Sequence, residues 1–191
     1  MTILALDLAS HTTGFAVFDG KRLKNSGIIK GKNKDINKRL IEIKHQLVEL
    51  ISTYEPDYVV VEEMQPFIKP NLFNTTRILE KLHGVLLSVV DDYDIELLRV
   101  PINKWRQDIG IQANQKRVLL KQIAIARANK SYHLNVSGDD EAEAILIGEW
   151  FVNYGKNYFK IVLTKWRICV ILLLSLKKGS IFLKKFLTNI I

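Results

Sequence analysis

The sequence of 191 residues has a single cysteine, Cys169, and only four histidines. One cysteine cannot form an intramolecular disulfide, and no group of cysteines and histidines has the spacing of a zinc site. We therefore expect a reducing, cytoplasmic setting. The phosphate-binding pattern Gly-x-x-x-x-Gly-Lys-Ser/Thr is also missing, which argues against a P-loop nucleotide hydrolase.

Long apolar segments are missing as well. The apolar run 168–174 (ICVILLL) is far shorter than the ~20 residues that cross a bilayer, so we expect no membrane span. At the N-terminus Asp7 interrupts the apolar residues after a few positions, and no basic residue precedes them. We expect a buried strand there and no signal peptide.

Acidic residues are missing from the last part of the chain. The net charge is +8, and residues 159–191 contribute +7 of it, which leaves +1 for residues 1–158. This change predicts one domain over 1–158 and a basic, apolar appendage of unknown role over 159–191. Within the domain, 21–44 and 99–130 are rich in lysine and arginine. These stretches suit contacts with a polyanion, and they equally suit solvated helix faces.

Apolar periodicity indicates the secondary structure. Strands are predicted over residues 2–8, 14–18, 22–29, 58–62 and 95–100. Helices are predicted over residues 35–54, 71–90, 114–130 and 137–154. Asn114 and Ser137 are the expected N-caps of the last two helices. Three strands followed by alternating helices and strands predict an α/β domain whose mixed five-stranded sheet is covered by helices on both faces.

Two acidic residues stand in apolar strands, where a lone carboxylate is costly to bury. Asp7 lies within the apolar run 3–8, and Glu62 follows three valines. Each could simply be neutralised by a lysine or a helix N-terminus. Two carboxylates carried by rigid strands, however, are also the arrangement that a catalytic site needs.

A third acidic group lies in the segment 137–144 (SGDDEAEA). Asp140 and Glu143 are three positions apart, which places their side chains about 5–6 Å apart at Cβ on one helix face. Asp139 and Glu143 form an alternative pair. Helix capping explains the same acids without any catalytic role, because acidic residues are favoured in a first helical turn.

Converging carboxylates repel one another, and a divalent cation removes that repulsion. Oxygen ligands suit Mg²⁺, with Mn²⁺ as a substitute. Two such ions can activate water on one side of a phosphodiester and stabilise the leaving oxygen on the other. We therefore predict Asp7, Glu62, Asp140 and Glu143 as metal ligands and catalytic residues, with Asp139 as an alternative ligand.

The sequence resembles the RuvC-type Holliday junction resolvases over about residues 2–155. Residues 7–15 (DLASHTTGF) look like the family's opening Asp-Pro-Gly-Ser-x-x-Thr-Gly-Tyr segment. Residues 56–62 (PDYVVVE) are similar to its second acidic strand, and 140–144 (DEAEA) to its closing Asp-x-x-Asp-Ala. The resemblance implies a ribonuclease-H-like fold, a homodimer, and paired nicks in four-way DNA junctions.

The resemblance also implies roles for cationic and aromatic residues. Lys104 and Lys116 match two family lysines near the scissile phosphate and are predicted to be catalytic. The predicted DNA-binding residues are Phe67, Lys69, Lys104, Arg106, Lys116 and Arg117. Residues 63–70 depart from the family's base-reading segment, so sequence preference at the cut stays open.

Parts of the sequence are also compatible with other functions. Sugar kinases and chaperone-type ATPases share the general fold but need two such domains, for which 191 residues leave no room. A broader branched-DNA or RNA-processing nuclease of the same fold is a closer alternative. A non-catalytic DNA-binding module is favoured if the acids only cap helices and pair with lysines.

Overall fold

The computed structural model describes residues 1–64, 73–112 and 115–159. Residues Met1–Asn153 form one compact unit, and the described residues 154–159 belong to a second unit of the chain. The domain boundary after residue 158 stays a prediction. Within the described ranges, none of the helices combines the length and the apolar content that a bilayer crossing requires.

The first unit is built on a mixed sheet whose strand order is β3-β2-β1-β4-β5. β1 pairs antiparallel with β2 and parallel with β4; β2–β3 is antiparallel and β4–β5 parallel. The strands are β1 (Thr2–Asp7), β2 (Thr12–Asp19), β3 (Arg22–Lys30), β4 (Tyr58–Glu62) and β5 (Glu96–Val100). The mixed five-stranded sheet expected from the sequence is therefore confirmed.

Helices cover both faces of the sheet. The helices are α1 (Ile36–Tyr54), α2 (Phe73–Asp92), α3 (Ile102–Asp108), α4 (Arg117–Tyr132) and α5 (Asp139–Trp150), and a π-helical segment (Phe151–Gly155) continues α5. α1 and α2 pack on one face, where Leu4, Leu6, Val59 and Val61 point into the same core cluster. α5 packs against β1 and β2 on the other face, and α4 packs on α5.

Two helix N-caps and one additional helix differ from the sequence predictions. Gly138, and not Ser137, is the N-cap of α5, and it makes no side-chain capping hydrogen bond. Lys116 is the N-cap of α4, while the predicted cap Asn114 lies outside the described residues. The short helix α3 was not predicted, because its seven residues after Pro101 are too few to establish a period.

Candidate active site

The two strand-borne carboxylates end neighbouring parallel strands. Asp7 is the last residue of β1 and Glu62 the last of β4, and Leu6 pairs with Val61. Side chains alternate between the faces of a sheet. Since Leu6 and Val61 point into the α1–α2 core, Asp7 and Glu62 both point to the opposite face, which α5 covers.

A glycine brings the N-terminus of α5 up to this strand end. Asp7 pairs with Gly14 across the sheet. A Cβ on Gly14 would overlap the backbone carbonyl of Asp140, so only glycine allows this approach. Ser26 of β3 anchors the same turn, since its Oγ donates a hydrogen bond to Glu141 Oε1 at 2.7 Å. The first turn of α5 therefore rests on the sheet directly beside Asp7.

These elements enclose a cavity of about 650 Å³. The carboxylates that line it are Asp7, Glu62, Asp139, Asp140 and Glu143. All the acids predicted from three distant segments of the sequence thus lie at one cavity. Arg106 and Arg117, predicted to bind DNA, also line it, together with Lys121. Their roles in catalysis and binding remain predictions.

Asp7 has the most unfavourable electrostatic position of the five. Its side chain is partly exposed to the cavity, yet burial raises its pKa well above the ordinary value, and the negative charges of Glu143 and Glu62 raise it further. Among the described residues, no hydrogen-bond donor or cation compensates this carboxylate. Burial and the neighbouring carboxylates therefore disfavour the ionised form of Asp7, and a positive charge in the cavity would favour it.

Glu62 is held by a tryptophan. Trp105 of α3 is fully buried, and its Nε1 donates a hydrogen bond to Glu62 Oε2 at 3.0 Å. Burial raises the pKa of Glu62 to about 7, although the Trp105 hydrogen bond and the charge of Arg106 oppose the rise. Trp105 thus fixes the direction of this carboxylate without neutralising it.

Two of the helix-borne acids are paired with cations. Arg106 Nη2 lies 2.6 Å from Glu143 Oε1, and Lys121 Nζ forms an ion pair with Asp139. Burial raises the pKa of Glu143, and Arg106 counteracts it. As these side chains stand, the described residues include no group of three or more His, Cys, Asp or Glu close enough together to hold a metal ion.

The predicted lysines and loop residues lie elsewhere. Lys104 forms an ion pair with Asp108 at 2.6 Å, and neither it nor the exposed Lys116 lines the cavity. Phe67 and Lys69 lie outside the described residues. The structure thus brings Arg106 and Arg117 to the carboxylates and leaves the roles of the two lysines as predictions.

Several residues of the site were missed from the sequence. Neither Trp105 nor Lys121 had a predicted role in the site. Thr13 is buried, and its hydroxyl donates to the carbonyl of Ala9 at 2.9 Å, which shapes the loop after Asp7. The Thr-Gly pair in the opening motif signals Thr13 and Gly14, but no local pattern identifies Trp105 or Lys121.

A sheet of this order, with carboxylates at the ends of the neighbouring strands β1 and β4 and on a helix across them, defines an α/β protein of the ribonuclease-H-like class. The family model described as crossover junction endodeoxyribonuclease RuvC matches residues 3–124. This is well over half of the chain, and the protein belongs to that family of endonucleases.

Relatives and solved structures agree with this family. The crossover junction endodeoxyribonuclease RuvC of Rickettsia felis is 29% identical over 153 residues, covering 77% of this chain and 94% of the relative. The fold is similar to that of T. thermophilus RuvC in complex with a Holliday junction substrate, with a TM-score of 0.65, 15% identity, and coverage of 82% and 96% of the two chains. It is also similar to a Fowlpox virus resolvase bound to Holliday junction DNA (TM-score 0.51, 13% identity, 85% and 99% coverage).

Proposed function

We propose that this protein is a metal-dependent endonuclease that resolves four-way DNA junctions by paired hydrolysis of phosphodiesters. The observation that carries the proposal is the convergence of five carboxylates on one cavity in a chain of the RuvC family. The Rickettsia felis relative is named for this activity, and the T. thermophilus neighbour is a complex with such a junction.

The residues suit Mg²⁺, with Mn²⁺ as a substitute and two ions per site. The donor set is made only of carboxylate oxygens, which hard divalent ions prefer, and Asp7 lacks a compensating cation among the described residues. Asp7, Glu62, Asp140 and Glu143 are the proposed ligands, and Asp139 is the alternative. When bound, such ions activate water and stabilise the leaving oxygen of a phosphodiester.

The chain's own cations prepare the site. Arg106 and Lys121 form ion pairs with Glu143 and Asp139, which lowers the net negative charge around Asp7. Once these carboxylates turn towards the ligand position, both cations are free to face a phosphate oxygen. Lys104 and Lys116 are proposed to act on the same phosphate, and Lys104 must leave Asp108 to do so.

Paired nicks on a symmetric junction need two active sites, so the functional unit is proposed to be a homodimer. The resemblance to the family implies a dimer contact on α2, but the apolar residues Leu82, Leu86 and Val89 of this helix are fully buried in the chain's own core. A contact through α2 must therefore use its exposed face, which carries Leu87. Analytical ultracentrifugation that finds only monomer at micromolar concentration would contradict the dimer. A cytoplasmic setting belongs to the same proposal.

A cleavage assay tests the function directly. Purified protein with Mg²⁺ is expected to introduce symmetric nicks into a synthetic four-way junction, and a chelator is expected to stop cleavage but not binding. Single-strand flaps and RNA–DNA hybrids of matched sequence serve as competing substrates. Equal rates on these substrates would reject junction resolution, and cleavage in the presence of the chelator would reject metal dependence.

A further inference from the structure

A second cavity, of about 630 Å³, lies between the segment before α1 and the N-terminal half of α2. Three cations line it: Lys34 from the segment before α1, and Arg77 and Lys81 from α2. The side chains of Asn37 and Asn74 line it as well. Lys34 belongs to the basic stretch 21–44, to which the active site assigns no role.

The positive charge of this cavity is largely uncompensated. In the part of the chain that the structure describes, none of the three cations has a carboxylate within salt-bridge distance. Asp35 also lines the cavity, but its Oδ1 accepts a hydrogen bond from the backbone N–H of Lys38 at 2.9 Å and caps α1. Three cations and one already engaged carboxylate make a site that attracts an anion.

This cavity is adjacent to the active site. The first turns of α2 lie between the two cavities. Thr75 and Leu79 line the active-site cavity, and Asn74 and Ile78 line the second cavity. An α-helix with its side chains is about 10 Å wide. That width corresponds to roughly three nucleotide steps of duplex DNA, at about 3.4 Å per step along one strand.

A backbone hydrogen bond joins the two sites on their other side. The N–H of Gly31 donates to the carbonyl oxygen of His11 at 3.2 Å, and His11 lines the active-site cavity. The chain runs from Gly31 directly to Lys34 in the second cavity. A DNA strand that leaves the active site can therefore reach Lys34 along the protein surface, without crossing the core.

We propose that Lys34, Arg77 and Lys81 bind the phosphates of one duplex arm, a few nucleotides from the strand position that is cut. This inference rests on the proposed function. Lysine, arginine and amide side chains are the groups that proteins use to contact the DNA backbone, and such contacts position the duplex without reading its sequence. Lys34 of the basic stretch 21–44 thereby gains a role in binding, which a purely solvated helix face would not give it.

A pair of charge-matched variants tests the inference. The double variant R77Q/K81Q removes two cations of the cavity, and K21Q/R22Q removes two exposed cations at the β2–β3 turn. That turn lies at the opposite end of the sheet, where Asp19 pairs with Thr2. Binding of a fluorescent four-way junction is measured by anisotropy in a chelator, between 50 and 200 mM salt. K34Q tests a second element independently, and thermal melting verifies folding.

The salt dependence distinguishes the two variants. Each lost phosphate contact reduces the magnitude of the slope of log affinity against log salt by about 0.9. Between 50 and 200 mM salt, the fall in affinity of R77Q/K81Q should therefore be about ten-fold smaller than the fall in affinity of the wild type. K34Q should lower the slope by about half as much, and K21Q/R22Q should match wild type. Two junctions with different arm sequences should give the same change.

The outcomes separate this inference from the proposed function. If folded R77Q/K81Q and K34Q keep the wild-type salt slope, the backbone site is wrong, even when wild-type protein cleaves junctions. If the slope changes as expected but wild-type protein cleaves no junction in Mg²⁺, the DNA-binding site stands and the nuclease assignment fails. A slope change of the same size in K21Q/R22Q would show a general charge effect and would also overturn the site.

Discussion

The carboxylates on the two walls of the active-site cavity differ in their ion pairing. The strand wall carries Asp7 and Glu62, and the helix wall is the first turns of α5. On the strand wall, Asp7 and Glu62 are fixed at the ends of β1 and β4, and neither forms an ion pair among the described residues. On the helix wall, Asp139 and Glu143 pair with Lys121 and Arg106. The strand acids therefore carry charge without an ion-pair partner among the described residues, whereas two of the helix acids carry charge that is already paired. In the proposed metal mechanism, the strand acids would define where an ion binds and the helix acids would complete its coordination.

The largest expected effect on cleavage comes from removing the negative charge of Asp7 on the strand wall. Asp7→Asn should lower junction cleavage by more than about 100-fold, since even outer partners of metal ligands typically contribute 10–100-fold. Junction affinity should stay unchanged or increase, because a negative charge near phosphates is lost. Asp19→Asn, at the opposite end of the sheet, is the matched control and should cleave normally. Wild-type cleavage by Asp7→Asn would refute the mechanism.

The next largest effect on the cleavage rate should come from a substitution that moves the first turn of α5 away from the strand wall. Gly14→Ala places a methyl group on the backbone of Asp140, so the first turn of α5 must shift. A displacement of about 1 Å at an active site can cost about 100-fold in rate. Gly84→Ala is the control, because a Cβ there meets no atom within 4 Å. Steady-state cleavage rates and urea unfolding would be compared, and a Gly14→Ala enzyme with full activity would show that the close approach is unnecessary.

The strand wall should also make the metal-free protein sensitive to pH. The pKa of Glu62 is about 7 in the folded protein against 4.5 ordinarily, so the folded state holds this proton more tightly than the unfolded state. The free energy of unfolding should therefore fall as pH rises, by about 2–3 kcal/mol between pH 5 and 8. Urea unfolding in a chelator measures this decrease. Glu62→Gln should flatten the curve, and an identical slope in this variant would assign the effect to other groups.

The smallest effect is expected from the pairing on the helix wall. Arg106→Gln frees Glu143 from its cation, so Mn²⁺ should bind the DNA-free protein up to about ten-fold more tightly, because a nearby positive charge opposes a metal ion. Isothermal titration calorimetry measures this change, and Lys24→Gln on β3 provides a distant control of equal charge. Weaker Mn²⁺ binding by Arg106→Gln would mean that Arg106 orients Glu143 for the ion and does not compete with it.

Local patterns were sufficient for the elements that carry the acids. Short apolar runs predict the strands, and the helical spacing of apolar residues predicts α1, within two residues of their observed bounds. The same reasoning marked Asp7 and Glu62 as anomalous charges. The helix α3 was not predicted in this way. Trp105 on α3 was therefore not assigned to the site, because its contact with Glu62 joins residues that are 43 positions apart in the sequence.

The sequence by itself determined which acids are present, which elements carry them, and that the strands are too apolar to tolerate them without compensation. Only the tertiary structure decided that Arg106 and Lys121 pair with the helix acids, that Lys104 pairs with Asp108, and that Lys34 lies with Arg77 at a second cavity. The physical reason is that periodicity encodes the face on which a side chain lies, whereas ion pairs depend on distances between elements that packing sets.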